Sequence, residues 1–213
     1  MEQTTATAEA PTASTTATLS VDFTWKKWKA LITDANKPDA KPLYTVDFQQ
    51  FKNPRIIYRR GESEEVIGTG TLHTFNIDAD YELHGRRDTL VAQRRWHTVY
   101  SHRSLALSDN EKPVRLTWTS DSDFKTWDFI CCDEQQMPVA RFSANLWAMK
   151  KLGKIEFMGP MADSEALKDE IVVTGLTLLL CMTLRSSSIL SFFGALFASP
   201  GHDKKDALKT QSE

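Results

Sequence analysis

Polar and apolar residues alternate most clearly at Val114, Leu116 and Trp118 against Arg115, Thr117 and Thr119. Such a stretch sets one face in a core and the other in water, as a half-buried strand does. Trp127, Phe129 and Cys131 against Asp128 and Ile130 repeat the pattern. After a turn at Asp133–Gln136, Ala140, Phe142, Ala144 and Leu146 return on one face. Upstream, Leu43–Phe48 and Arg55–Tyr58 read as extended, joined through Asn53-Pro54. Gly61-Glu62-Ser63 turns into Glu65–Leu72, and Thr74–Ile77 follows. Gly85-Arg86-Arg87 then separates Tyr81–Leu83 from Thr89–Tyr100. Short strands at this spacing from Leu43 to about Phe157, with hardly a helical period among them, predict a meandering antiparallel sheet or barrel.

After Gly159-Pro160 the pattern changes. Asp163 and Ser164 are N-cap candidates, and Glu165, Asp169 and Glu170 put negative charge where a helix dipole favours it. Ile171–Leu184 is apolar on every face apart from its threonines and Gly175. Arg185-Ser186-Ser187-Ser188 breaks the run, Ile189–Ala198 forms a second apolar patch, and Pro200-Gly201 opens a polar tail. A helix that is greasy all round must be buried in lipid or inside a protein. Spanning a bilayer takes about 20 apolar residues. The first run supplies 14, and joining both gives 28 positions with Arg185 near the middle, where a charge costs at least ~2.5 kcal/mol. A closed barrel of about a dozen strands has a lumen wide enough for a helix. The expected fold is therefore mainly β: a closed antiparallel barrel of about 12 strands around a hydrophobic C-terminal helix. A tail-anchored membrane protein with a cytosolic β-rich domain is the alternative.

Residues 1–20 are rich in Thr and Ala and hold no Lys or Arg, so neither a secretory nor a mitochondrial signal is legible, and a disordered tail is expected. Residues 21–42 read as an amphipathic lead-in segment and linker. Trp25, Trp28, Ala30, Leu31 and Ile32 recur at roughly helical spacing, with Lys26, Lys27 and Lys29 in the gaps. This is either a basic, aromatic helix on an anionic membrane surface or a helix or strand packing its tryptophans on the domain behind. The expected layout is tail 1–20, lead-in 21–42, barrel with core helix 43–185, and apolar patch with polar tail 186–213.

Leu116-Thr117-Trp118 followed by Asp123-Phe124-Lys125-Thr126-Trp127-Asp128-Phe129 resembles the central strand pair of the tubby C-terminal-like superfamily, which includes tubby proteins, phospholipid scramblases and LURP-one-related proteins. Asp133 to Val139-Ala140 is similar to the turn and strand that follow there, and Asp169–Leu184 to the terminal helix. The resemblance covers roughly 43–185 and is closest to fungal members. It implies a barrel around a C-terminal helix, and a fold more than a function.

Composition adds exclusions. The chain has 213 residues, 41% hydrophobic and 25% charged, which is globular. Its 26 basic and 28 acidic side chains nearly cancel, so no global field points to nucleic acid. Three cysteines, two of them adjacent, make no disulfide framework and fit a reducing compartment, so a cytoplasmic or peripheral-membrane location is expected. Gly68-Thr69-Gly70 lacks the third glycine of a dinucleotide fingerprint. His73, His84, His97 and His102 have no metal-ligand spacing, and Asp163, Glu165, Asp169 and Glu170 do not match a calcium loop, so no metal or other cofactor is expected. No nucleophile with a base beside it is legible, so an enzyme is not expected. The expected role is a non-enzymatic binding or scaffold module whose partner is an anionic membrane surface, a phosphoinositide or another protein. The candidate lipid-binding residues are Lys26, Lys27, Lys29, Arg86, Arg87, Arg94 and Arg95, since guanidinium forks suit phosphate. The arginine pairs could equally bond to Glu62, Glu64, Glu65 or Asp88 as a solvated face.

Overall fold

A computed structural model describes residues 17–37, 39–49, 52–63, 65–73, 76–94, 98–108, 112–120, 127–145 and 151–197, with the backbone alone for Trp25 and for 186–197. Twelve strands form one closed antiparallel meander: β1 (Thr18–Thr24), β2 (Lys29–Asp34), β3 (Tyr44–Phe48), β4 (Ile56–Arg60), β5 (Val66–Leu72), β6 (Ala79–Leu83), β7 (Arg86–Ala92), β8 (Thr98–Ser104), β9 (Val114–Ser120), β10 (Trp127–Cys132), β11 (Pro138–Ala144) and β12 (Lys151–Phe157). Each strand pairs with its sequence neighbours, and β1 closes the ring on β12 through Leu19↔Ile155 and Ser20↔Lys154. Closure leaves no sheet edge, the usual weakness of an all-β domain. One helix, α1 (Glu165–Phe197), follows.

The alternation read at Val114–Thr119 has its physical cause in this ring. Leu116 and Trp118 face the lumen and are fully buried, as are Phe129, Phe142, Ile155 and Phe157 on the neighbouring strands. What they pack against is α1. Its residues Ile171, Val172, Val173, Leu176 and Leu178 are all buried, which is why the run is apolar on every face. Close approach needs small residues. A Cβ on Gly70 of β5 would fall 2.6 Å from the Thr177 hydroxyl, and one on Gly175 of α1 would meet the Trp118 ring at 3.3 Å. Gly68 and Gly70 are thus lumen positions that admit the helix.

Several expectations need correction. The barrel begins at Thr18, not at residue 43. Of the readings of the lead-in, the strand holds and the helix does not: it is the β1–β2 hairpin, part of the barrel rather than ahead of it, held on both sides by β12 and β3. Helical spacing misled because Val21, Ala30 and Ile32 point inward on two strands joined by a single 3₁₀ turn at Trp25–Lys27. Trp28 closes that turn at φ +50°, a left-handed conformation that ends the helical geometry. At the other end, Arg185 and the three serines do not interrupt α1, whose backbone runs on to Phe197. Residues 1–16 of the expected tail, the motif Asp123–Thr126, Arg95, and the tail 198–213 lie outside the described residues.

Because α1 fills the lumen, removing it should prevent folding. A chain ending at Pro160 is expected to aggregate or show no cooperative unfolding by circular dichroism, and Leu179→Asp should do the same by burying an unpaired charge. A monodisperse, cooperatively folding 1–160 fragment on gel filtration would contradict the core role of the helix.

Candidate functional site

Strand directions give the barrel two distinct ends. α1 enters at one, capped by Ser164, whose backbone carbonyl accepts from the Lys168 amide at 2.9 Å. Two acidic residues of its first turns are buried there. Asp169, with a side chain 2% exposed, accepts from Tyr44 Oη at 2.8 Å, from Arg60, and lies 2.9 Å from His84 Nε2. Glu170 accepts from Ser104 Oγ at 2.9 Å and sits 2.9 Å from Nε2 of the fully enclosed His102. The sequence reading assigned these acids to the helix dipole. Their deeper role is to anchor α1 to β3, β4, β8 and the β6–β7 turn. Burial, with the Asp169 charge beside it, pushes the Tyr44 hydroxyl far above its ordinary pKa, so it stays a donor. Further down, Tyr58 Oη donates to Val173 O or Thr177 Oγ1 at about 3 Å and Thr174 caps Glu170 O, so the helix's polar groups are met inside the barrel.

α1 leaves at the opposite end. Arg185 Nη1 donates to Tyr100 Oη at 2.6 Å, and Tyr100 in turn donates to Ile77 O. The β1–β2 tip projects here. Lys26 and Lys27 are exposed, and Trp28 is 42% exposed with its ring edge-on to Phe23, which in turn meets Phe48 edge-on. Among the described residues, no acidic partner meets Lys26 or Lys27.

The candidate lipid-binding residues therefore divide. Lys26, Lys27 and Arg94 belong to the end where α1 leaves, and Arg94 is exposed. Lys29 starts β2 at this end but is paired with Asp47 at 3.0 Å. Arg86 and Arg87 sit on the far end, beside the β6–β7 turn. Arg87 is spent on Glu82 at 2.9 Å, and Arg86 faces Asp88 at 4.0 Å. Arg59 pairs with Asp47 and Arg60 with Asp169 and Glu165. The six described candidates do not form one patch, and Arg95 lies outside the described residues.

What the individual residues conceal appears when the connections are sorted by end. The six connections at the α1-leaving end are 25–28, 49–55, 73–78, 93–97, 121–126 and 145–150. In sequence they hold Trp25, Trp28, Phe51, Phe75, Trp96, Phe124 and Trp147, with eight Lys or Arg against three Asp or Glu. The connections at the α1-entering end, 35–43, 61–65, 84–85, 105–113, 133–137 and 158–164, hold no aromatic residue, and three Lys against nine Asp or Glu. For residues outside the described set this is a statement of sequence and chain order. The 25–28 connection shows the signal in sequence, but that five other connections share its end is set by strand direction and is not legible along the chain.

Nothing at either end assembles a metal site: among the described residues there is no cluster of three His, Cys, Asp or Glu ligands. The thiols of Cys131 and Cys181 are pushed up by burial, against the thiolate a nucleophile needs. Ser104 donates to Glu170 rather than to His102, so the three do not form a nucleophile–base relay. Comparison with family models, with characterised proteins and with solved structures finds no match.

The buried pair should dominate the stability of the α1-entering end. Asp169→Ala is expected to destabilise by about 3 kcal/mol because it leaves Arg60, His84 and Tyr44 without their shared acceptor. Glu165→Ala, whose side chain is 65% exposed, should cost less than about 1 kcal/mol. Urea denaturation of the two variants tests this, and equal losses would refute the anchoring role of Asp169.

Proposed function

We propose that this protein is a non-enzymatic docking module that binds anionic membrane surfaces through the end of the barrel from which α1 leaves. The observation that carries the proposal is the sorting of connections: every aromatic residue outside the strands and α1 belongs to that end, together with the basic excess. Aromatic rings favour the level of lipid headgroups, and each Lys or Arg near an anionic leaflet contributes about 1 kcal/mol. The acidic far end would be repelled by the same surface, which sets the orientation.

α1 supports this reading and argues against the tail-anchor alternative. Ile171–Leu179 is enclosed by the barrel, so it is not free for lipid. The twelve residues 186–197, SSSILSFFGALF in sequence, continue the helix beyond Arg185. At about 1.5 Å per residue they reach roughly 18 Å, against ~30 Å of hydrocarbon, enough to enter one leaflet and not enough to cross. Among the described residues no helix is long and apolar enough to cross a membrane. The cytoplasmic leaflet has the required negative charge, and the expected reducing compartment agrees with it. Membership of the tubby-like superfamily belongs to this proposal, supported by the barrel-and-helix plan.

Flotation with phosphatidylserine-containing vesicles, neutral phosphatidylcholine vesicles as control, and two salt concentrations tests the reading. Binding is expected for the anionic vesicles alone and should fall steeply with salt, because exposed charges are screened within about 10 Å at 0.1 M. Lys26→Glu with Lys27→Glu should weaken it by about thirtyfold or more. Arg87→Glu, at the far end and 87% exposed, should leave it unchanged. Equal binding to neutral vesicles, or no effect of the lysine reversals, would leave a protein partner as the surviving reading.

A further inference from the structure

The ring of hydrogen-bonded strands has one weak seam. β6 and β7 pair over five residues and β8 and β9 over seven, but between β7 and β8 the ladder holds only Val91↔Ser101 and Ala92↔Tyr100. Toward the α1-entering end the two strands part. Thr89 N–H, which would face β8, instead donates to the Asp88 carboxylate at 2.8 Å.

A cavity of about 330 Å³ occupies the parting; Tyr81, Arg86, Asp88 and Arg103 supply polar lining, and so does His84, whose Nε2 is engaged by Asp169. The Tyr81 side chain reaches it from β6. That residue is only 6% exposed, and among the described residues its hydroxyl has no hydrogen-bond partner. The two guanidinium groups converge on Asp88 without hydrogen-bonding it: Arg103 Nε stands 3.5 Å and Arg86 Nη2 4.0 Å from Oδ2. Leu83, Leu105 and Ala106 line the remaining side with hydrocarbon. Glu170 also borders the space, with both its oxygens engaged by His102 and Ser104.

From this geometry we infer a second binding site, for a small monocarboxylate with a short apolar body. The unspent groups are mostly donors, two guanidinium forks and a phenol, the set that recognises a carboxylate, with Asp88 Oδ2 the buried acceptor that competes for them. Arg86 and Arg103 stand against Asp88, and Glu170 is held by His102 and Ser104, so one carboxylate finds two guanidinium donors whereas a second negative charge on the ligand would meet Asp88 and Glu170. The volume lies at the lower limit of small-molecule sites. In the bound state the carboxylate takes the position between Arg86 and Arg103 that Asp88 now fills poorly, and the chain lies over Leu83 and Leu105. The site lies away from the proposed membrane-docking end and stands or falls independently of it.

Titration of the full-length protein with octanoate, in the absence of vesicles and followed by amide NMR shifts, tests the inference. Saturable shifts centred on residues 83–88 and 103–106 are expected. Arg86→Gln with Arg103→Gln should weaken binding about tenfold to hundredfold, the loss of charge-assisted hydrogen bonds. Asp88→Asn keeps the oxygen that accepts from Thr89, removes the competing charge, and should tighten binding severalfold. A destabilised barrel could not produce that gain. Octanol and octylamine, which share the chain but not the carboxylate, should bind at least tenfold more weakly. No saturable shift at millimolar octanoate, equal binding of octanol, or an Asp88→Asn variant that binds no better would each overturn the site.

Discussion

A closed sheet has no edges, but it has an inside, and that inside must be filled. Twelve strands enclose a lumen that their own side chains do not close, even with Trp118, Tyr58, Phe142 and Phe157 pointing inward. The missing volume is supplied by α1, and much else in the molecule follows from that insertion. Gly70 and Gly175 leave room for it, Tyr58 satisfies its inner hydroxyls and carbonyls, and Asp169 and Glu170 fix its first turns. A helix in this position has no polar face to offer water. Its stability comes from packing rather than from its own propensity.

The same insertion polarises the molecule. An even-stranded meander puts its connections alternately at the two ends, and α1 passes from one end to the other. The entering end must hold the helix's first turn, whose amide groups and dipole favour acidic neighbours. Asp169 and Glu170 then take Tyr44, Arg60, His84, His102 and Ser104 as partners, which commits the Arg60 guanidinium to holding the helix. The leaving end carries no such burden. Its basic side chains at Lys26, Lys27 and Arg94 remain in solvent.

Much of the fold was legible along the chain, and the reasons for the failures are specific. Strict alternation at Val114–Thr119 and uniform apolarity at Ile171–Leu184 have one physical explanation each, a half-buried strand and an enclosed helix. The β1–β2 hairpin was only half legible: a strand was one reading of the segment, but Trp25, Trp28, Ala30 and Ile32 also fit a helical period by coincidence, across a 3₁₀ turn that spacing cannot reveal. Arg185 with three serines reads as a helix stop, yet the charge is satisfied by Tyr100 at the rim and the backbone continues. The candidate site was hardest to see. Arg86 and Arg94 are eight positions apart in sequence and belong to opposite ends of the barrel, because β7 lies between them. Charge sorted by distance along the chain therefore cancels, while charge sorted by end does not.

α1 runs from one end of the barrel to the other, and its anchoring limits how the barrel can rearrange. Sliding α1 along the barrel would draw Asp169 away from Tyr44 and Arg60 while uncovering the lumen, so the helix cannot act as a piston at modest cost. Freedom remains where the ladder is already broken, between β7 and β8. There the strands meet at two register pairs near Tyr100, the same residue that receives Arg185.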